Sequence, residues 1–130
     1  MNICLTWQDD LRFEGRLGEA RTAIDGNAAS GVSPVGMLLE ALAACAASDV
    51  VEILRKGRQR LEGLEVRARG LRRETPPRFF TRVELEFRLK GPIPLGKAER
   101  AVRLSFERYC SVFHSLRPDL ELDYAVRVEA

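Results

Sequence analysis

The chain has 130 residues, close to the usual size of one domain, so a single domain over residues 1–130 is expected. Hydrophobic residues make up 45% and charged residues 31%, as in a globular protein with a solvated surface. The 21 basic and 19 acidic residues leave a net charge of +2, which gives no electrostatic case for a nucleic-acid partner. Three cysteines, an odd number, do not suggest a secreted disulfide framework. The opening MNICLTWQDD lacks the basic and apolar regions of a signal peptide. The most apolar stretch, Met37 to Leu54, contains Glu40, Asp49 and Glu52, too many charges for a membrane span. A reducing cytoplasm is therefore the expected location, where thiol chemistry is catalytic or redox-linked rather than structural.

Short strands come first. Ile3 to Trp7 alternates weakly, Leu11 to Phe13 continues it, and Ala20 to Ile24 runs into the turn signal Asp25-Gly26-Asn27. Small, polar Gly26 to Val32 reads as a loop. Ser33-Pro34 then opens the clearest element, since serine is a good N-cap and proline at the first helical position loses no hydrogen bond. The spacing predicts a helix from Val35 to Lys56, with Arg55 and Lys56 beside the negative end of the dipole and Gly57 able to end it. Charges are sparse on every face before Arg55, and a helix apolar nearly all round must be buried nearly all round. A chain this short can scarcely sheathe such a helix alone, so a second copy is the expected cover.

Two longer strands follow. Leu64 to Leu71 and Phe79 to Leu89 both alternate, and Thr75-Pro76-Pro77 between them predicts a β-hairpin with one buried face. Pro92 and Pro94 break the chain. A second amphipathic helix is expected from about Leu95 to Tyr109, then a turn from Ser111 to Leu116. A final strand is expected from Leu120 to Val128. Strands that do not alternate regularly with helices point to an α+β fold.

Glycine-rich phosphate loops, nucleophile elbows and clustered Cys/His spacings are all absent, and the single His114 cannot build a zinc site with three scattered cysteines. No metal is expected. The thiols remain. Cys45 shares a helix face with Leu38, Ala41, Leu42, Ser48, Asp49 and Glu52. Taken alone, a cysteine on an apolar helix is usually a small core residue. An ionised Asp49 one turn away opposes a thiolate at Cys45, so a working nucleophile there calls for a cation from another element. Cys110 closes the second helix, where accessibility suits a resolving thiol. Cys4, on the first strand, reads as an ordinary core or edge residue.

The run Ser33-Pro34-Val35-Gly36-Met37-Leu38-Leu39-Glu40-Ala41-Leu42-Ala43-Ala44-Cys45 resembles the central-helix signature of the OsmC/Ohr proteins, a superfamily named for osmotic induction and organic hydroperoxide resistance. Arg108-Tyr109-Cys110-Ser111-Val112 resembles their second-cysteine motif. Ser48-Asp49-Val50-Val51, Ile53-Leu54, Lys56-Gly57-Arg58-Gln59 and Pro77-Arg78-Phe79-Phe80-Thr81 are similar to the YhfA-like branch. The likeness spans nearly the whole chain. It implies an intertwined homodimer in which antiparallel sheets wrap long, buried central helices. It also implies a thiol peroxidase: Cys45 is peroxidatic toward an organic hydroperoxide, Cys110 is resolving, and an external dithiol reductant replaces any bound cofactor. The site would lie at the subunit boundary in an apolar pocket.

The better-understood members of that superfamily carry a glutamate just after the Ser/Asn-Pro pair and an arginine on the N-terminal strands, paired with each other to activate the thiolate. Here Val35 and Gly36 occupy the glutamate's neighbourhood and Glu40 lies a turn further on. Arg12, Arg16, Arg21 and Arg78 are the candidate cations, and Glu40 and Asp49 the candidate carboxylates. Two other readings stand beside the peroxidase: a non-enzymatic small-ligand-binding or stress-response protein on the same scaffold, and a fold in which both cysteines are inert.

Overall fold

The computed structural model describes residues 1–130, which form two compact units, 1–38 and 39–130. Two helices and two three-stranded sheets make an α+β architecture, as the order of elements leads one to expect. No helix is long and apolar enough to cross a membrane.

The first unit is an antiparallel meander of β1 (Cys4–Asp9), β2 (Arg12–Leu17) and β3 (Ala20–Asp25), with Cys4 on an edge strand. Its two turns are two residues long. Leu17 pairs with Ala20 across Gly18, whose φ of 60° supplies the left-handed conformation that a tight hairpin needs. Asp25 is the buried acid of this unit. Its carboxylate accepts backbone N–H groups from Asn27, Ala29 and Ser30 and the Ser30 hydroxyl, closing the loop that the Asp-Gly-Asn run foretells. All six residues of β1 are exposed.

Helix α1 (Pro34–Lys56) starts at an N-cap: Ser33 Oγ accepts the Gly36 N–H at 3.1 Å. Its far end differs in detail from the expectation at Gly57. Gln59 N–H bonds to Leu54 O at 2.9 Å and Arg58 N–H to Arg55 O at 3.0 Å, the paired bonds of a Schellman cap. The left-handed residue in that cap is Arg58, at φ 59°, one position beyond the glycine.

In the second unit β4 (Gly63–Arg72) and β5 (Phe80–Lys90) form the expected antiparallel hairpin through the Pro76-Pro77 turn, and β6 (Glu121–Glu129) joins β5 in parallel. One edge thus departs from the antiparallel expectation. The intervening chain carries α2 (Leu95–Leu104), long enough to return β6 to the same end of the sheet as β5. Val83, Leu85, Phe87 and Leu89 of β5 form one core with Leu42, Ala46, Val50 and Leu54 of α1 and Ala98, Ala101 and Val102 of α2. The opposite face of β5 pairs charge with charge: Arg82 meets Glu84, Glu121 and Asp123, and Arg88 meets Glu86. The arginine-rich strands are therefore a neutralised solvent face, each pair worth little alone.

At the start of β5 a register shift between Leu71 and Arg72 sets Phe80, not Phe79, against the core. Phe80 lies over Gly70, where an added Cβ would overlap its ring. Phe79, expected on the buried face, instead stacks beneath the Arg117 guanidinium at 3.8 Å. Helix α1 buries one stripe at four-residue spacing, while Leu38, Ala41, Ala44 and Ser48 stay exposed in the single chain. Burial nearly all round is met on one face only.

Candidate thiol site

Cys45 stands in the middle of α1, about 16 Å of helix beyond its N-terminus. The dipole therefore helps a thiolate there little. Ala46 beside it is fully buried and Ala44 exposed, which leaves Cys45 half-buried at the margin of the core. Asp49, one turn on, shares that margin.

The second helix was expected to run unbroken to Tyr109. Instead α2 ends at Leu104 and residues Ser105–Tyr109 form a π turn, closed by a 2.7 Å bond from Cys110 N–H to Ser105 O. One wider turn resets the phase of the chain. Ser105 and Cys110 both become fully buried, and Tyr109 is turned outward. Cys110 closes this turn in an extended conformation, and its Sγ accepts the Phe113 N–H at 3.4 Å.

The Cys45 and Cys110 sulfurs and a carboxylate oxygen of Asp49 all lie within 4.8 Å of one another, and both thiols are free. The sequence expected Cys110 to be accessible at a helix end; the structure buries it instead, in the same core as Phe106 and Val102, where the π turn closes. Burial pushes its thiol up to about 11, with the Cys45 sulfur and the Asp49 carboxylate adding to the rise and the Phe113 N–H opposing it. At neutral pH Cys110 therefore holds its proton. Of the two, Cys45 is the thiol a reagent can reach.

Ser105 donates its hydroxyl to Asp49 Oδ2 at 2.8 Å, a site residue that the sequence reading passed over. A signal for it existed: Ala98, Ala101, Val102 and Ser105 follow one stripe at three- and four-residue spacing, and a hydroxyl on an apolar stripe needs a partner. An open cleft of about 520 Å³ reaches Asp49 and is lined also by Glu52, Ile53, Lys56, Arg100, Leu104 and Tyr109. Neither sulfur lines it. It mixes four charged side chains with apolar ones.

Arg12 is ion-paired with Asp9, and Arg21 reaches Glu14 at 3.4 Å, each within the first sheet. Arg16 is exposed and makes no ion pair. Arg78 donates its Nε to the Arg73 carbonyl, and Glu40 is an exposed residue of α1. No arginine hydrogen bond ends on Cys45, Asp49 or Cys110, and the charges that act on Cys110 are both of negative sign. Two thiols and a carboxylate could surround a cation, but with Cys110 protonated and one Asp49 oxygen taken by Ser105 the donor set fits a dedicated metal poorly. His114 is exposed, its ring set edge-on to Phe113.

Comparison with known proteins identifies the scaffold. The profile described as "OsmC-like protein" matches residues 26–125. Protein YhfA of Escherichia coli K12 is 37% identical, over 100% of this chain and 99% of that one. A crystal structure of a hypothetical protein from Aquifex aeolicus VF5 superposes with a TM-score of 0.89 at 27% identity, covering 99% and 97% of the two chains. An organic hydroperoxide resistance protein from Elizabethkingia anophelis shares the fold at a TM-score of 0.71 and 14% identity, covering 99% and 97%. Two cysteines brought together from α1 and the end of the π turn thus lie on a shared scaffold, and the chain belongs to the OsmC-like family.

Proposed function

We propose that the chain is a thiol-dependent organic hydroperoxide reductase of oxidative-stress defence, with Cys45 peroxidatic and Cys110 resolving. The observation that carries this reading is the meeting of two free thiols from separate elements within 4.8 Å, one reachable and one buried. The Cys45 sulfur attacks the O–O bond of a hydroperoxide, so the thiol becomes a sulfenic acid and the peroxide leaves as an alcohol. Cys110 then displaces hydroxide from that sulfur, giving a disulfide and water, and an external dithiol in a reducing cytoplasm restores both thiols. The names of relatives such as the Elizabethkingia protein support the substrate class.

The working form in this reading is a homodimer. Ile3 just before β1, Leu5 and Trp7 on β1, and Leu38 on α1 are large apolar residues that the single chain leaves exposed, and a second copy is the simplest cover for them. An activating cation for Cys45, should one be needed, would come from Arg12, Arg16, Arg21 or Arg78 in that assembly.

Cumene hydroperoxide consumption with a dithiol reductant tests the reading. Cys45→Ser is expected to lower turnover by at least about a thousandfold, since no other thiol replaces the nucleophile. Cys110→Ser is expected to leave a sulfenic acid that dimedone traps. Equal consumption by wild type and Cys45→Ser overturns the assignment. The mixed charged and apolar cleft beside Asp49 favours one second reading, a small-ligand-binding protein, for which ligand would bind unchanged in Cys45→Ser.

A further inference from the structure

The cluster holds a carboxylate where thiolate chemistry ordinarily wants a cation. Asp49 raises the cost of ionising Cys110, yet it is held in place rather than turned away: Ser105, itself fully buried, donates to one carboxylate oxygen at 2.8 Å. A carboxylate oxygen of Asp49 lies within 4.8 Å of both sulfurs, and Ser105 is its one side-chain hydrogen-bond partner. We propose that Asp49 is the proton acceptor for the Cys110 thiol as the Cys45–Cys110 disulfide closes, with Ser105 positioning its carboxylate. This rests on the redox reading of the two thiols and assigns their closing step.

The chemistry of that step creates the need. A thiol attacks as its thiolate, and Cys110 sits in a place that keeps it protonated at neutral pH. Left to itself it would react through a very small thiolate fraction. A base beside the S–H removes that limit by taking the proton as the new bond forms. The Cys110 sulfur attacks the Cys45 sulfenic sulfur, the S–S bond forms and the S–O bond breaks. The S–H proton passes to Asp49 and from there to the departing hydroxide, which leaves as water. Cys110 is oxidised, the Cys45 sulfur is reduced from the sulfenic level, and the carboxylate is regenerated.

Nothing else around the cluster fills this role. The sheet residues facing it, Val83, Leu85, Phe87 and Leu89, are apolar. Glu52 and Lys56 on α1 and Arg100 and Tyr109 from the opposite segment line the cleft with Asp49, and His114 lies exposed beyond Cys110. The cleft gives Asp49 a route to water, by which protons can equilibrate between turnovers.

The test follows disulfide closure alone, by rapid acid quench and mass spectrometry after one equivalent of cumene hydroperoxide. Wild-type closure is expected to be flat between about pH 6 and 8, because the proton leaves through a side chain rather than to solvent hydroxide. Asp49→Asn is expected to close about a hundredfold more slowly at neutral pH, with a rate that climbs about tenfold per pH unit, while sulfenic acid still forms within a few-fold of the wild-type rate. Ser105→Ala is expected to slow closure by about tenfold and Ser105→Thr to restore it. A wild-type rate that itself climbs tenfold per pH unit overturns the proposal without recourse to any variant. So does an Asp49→Asn protein that closes as fast as wild type. Repeating closure with diamide, which oxidises dithiols without a peroxide, separates the two readings. The same Asp49 dependence with diamide but no reaction with hydroperoxide upholds the role of Asp49 and overturns the peroxidase assignment instead.

Discussion

Strands β1 and β5 both carry alternating apolar residues, yet they meet opposite fates. Strand β5 buries Val83, Leu85, Phe87 and Leu89 against two helices, whereas every residue of β1 lies exposed. Within residues 39–130 the alternation is a packing code that fixes register, because a one-residue slip would turn four large side chains into water. In the first sheet turn geometry and backbone pairing set the register, and Ile3, Leu5 and Trp7 are left without cover. One unit carries its own core. The other leaves its large apolar side chains exposed.

Substitutions that remove the same kind of side chain from each region break this comparison most sharply. Phe87→Ala, at a site with no exposure, is expected to cost about 3–5 kcal/mol in denaturant unfolding. Trp7→Ala is expected to change the unfolding free energy of the dilute single chain by less than about 1 kcal/mol and to weaken self-association measured by sedimentation. Equal losses at the two positions would show that β1 belongs to a core of the single chain.

Titration sharpens the contrast from the side of the thiols. The Cys110 thiol is raised in the folded chain from its ordinary 9.0 to about 11, so between those values the folded state binds the proton more tightly than the unfolded one. Stability from this group is full below pH 9.0 and is lost as pH rises toward 11. Alkaline unfolding scans should therefore fall less steeply for Cys110→Ala than for wild type. In the first unit the sign reverses. Backbone donors from Ser30 and Asn27 hold the Asp25 carboxyl below its ordinary range, so its contribution is present at neutral pH and is lost as acid protonates it. The smallest effect is local: Arg58→Gly, at the left-handed position of the α1 cap, is expected to stabilise by about 0.5–1 kcal/mol in thermal melts.

Much of the scaffold was legible in the sequence because its signals are chemical and short-range. Ser33-Pro34 names a helix start wherever that helix goes, and Thr75-Pro76-Pro77 between two alternating runs names a hairpin. The direction of β6 was not legible, since side-chain alternation is the same for parallel and antiparallel neighbours. Nor was the π turn, which depends on one bond between Cys110 and Ser105 and leaves the helical periodicity before it intact. That turn decides the site: it brings Ser105 to Asp49 and buries Cys110. The helix spacing did place Asp49 one turn from Cys45. The candidate cations were the weakest part of the reading, because an arginine's partner is set by cross-strand neighbours, as with Arg12 on Asp9 and Arg21 on Glu14.

Peptide mapping by mass spectrometry of the reduced protein after one equivalent of cumene hydroperoxide tests most directly whether Cys45 and Cys110 act as one redox pair. The expected product is a single disulfide joining the Cys45 and Cys110 peptides, with Cys4 still a free thiol. Cys45 and Cys110 recovered fully reduced while the hydroperoxide is consumed, or Cys45 paired with Cys4 instead, would contradict it.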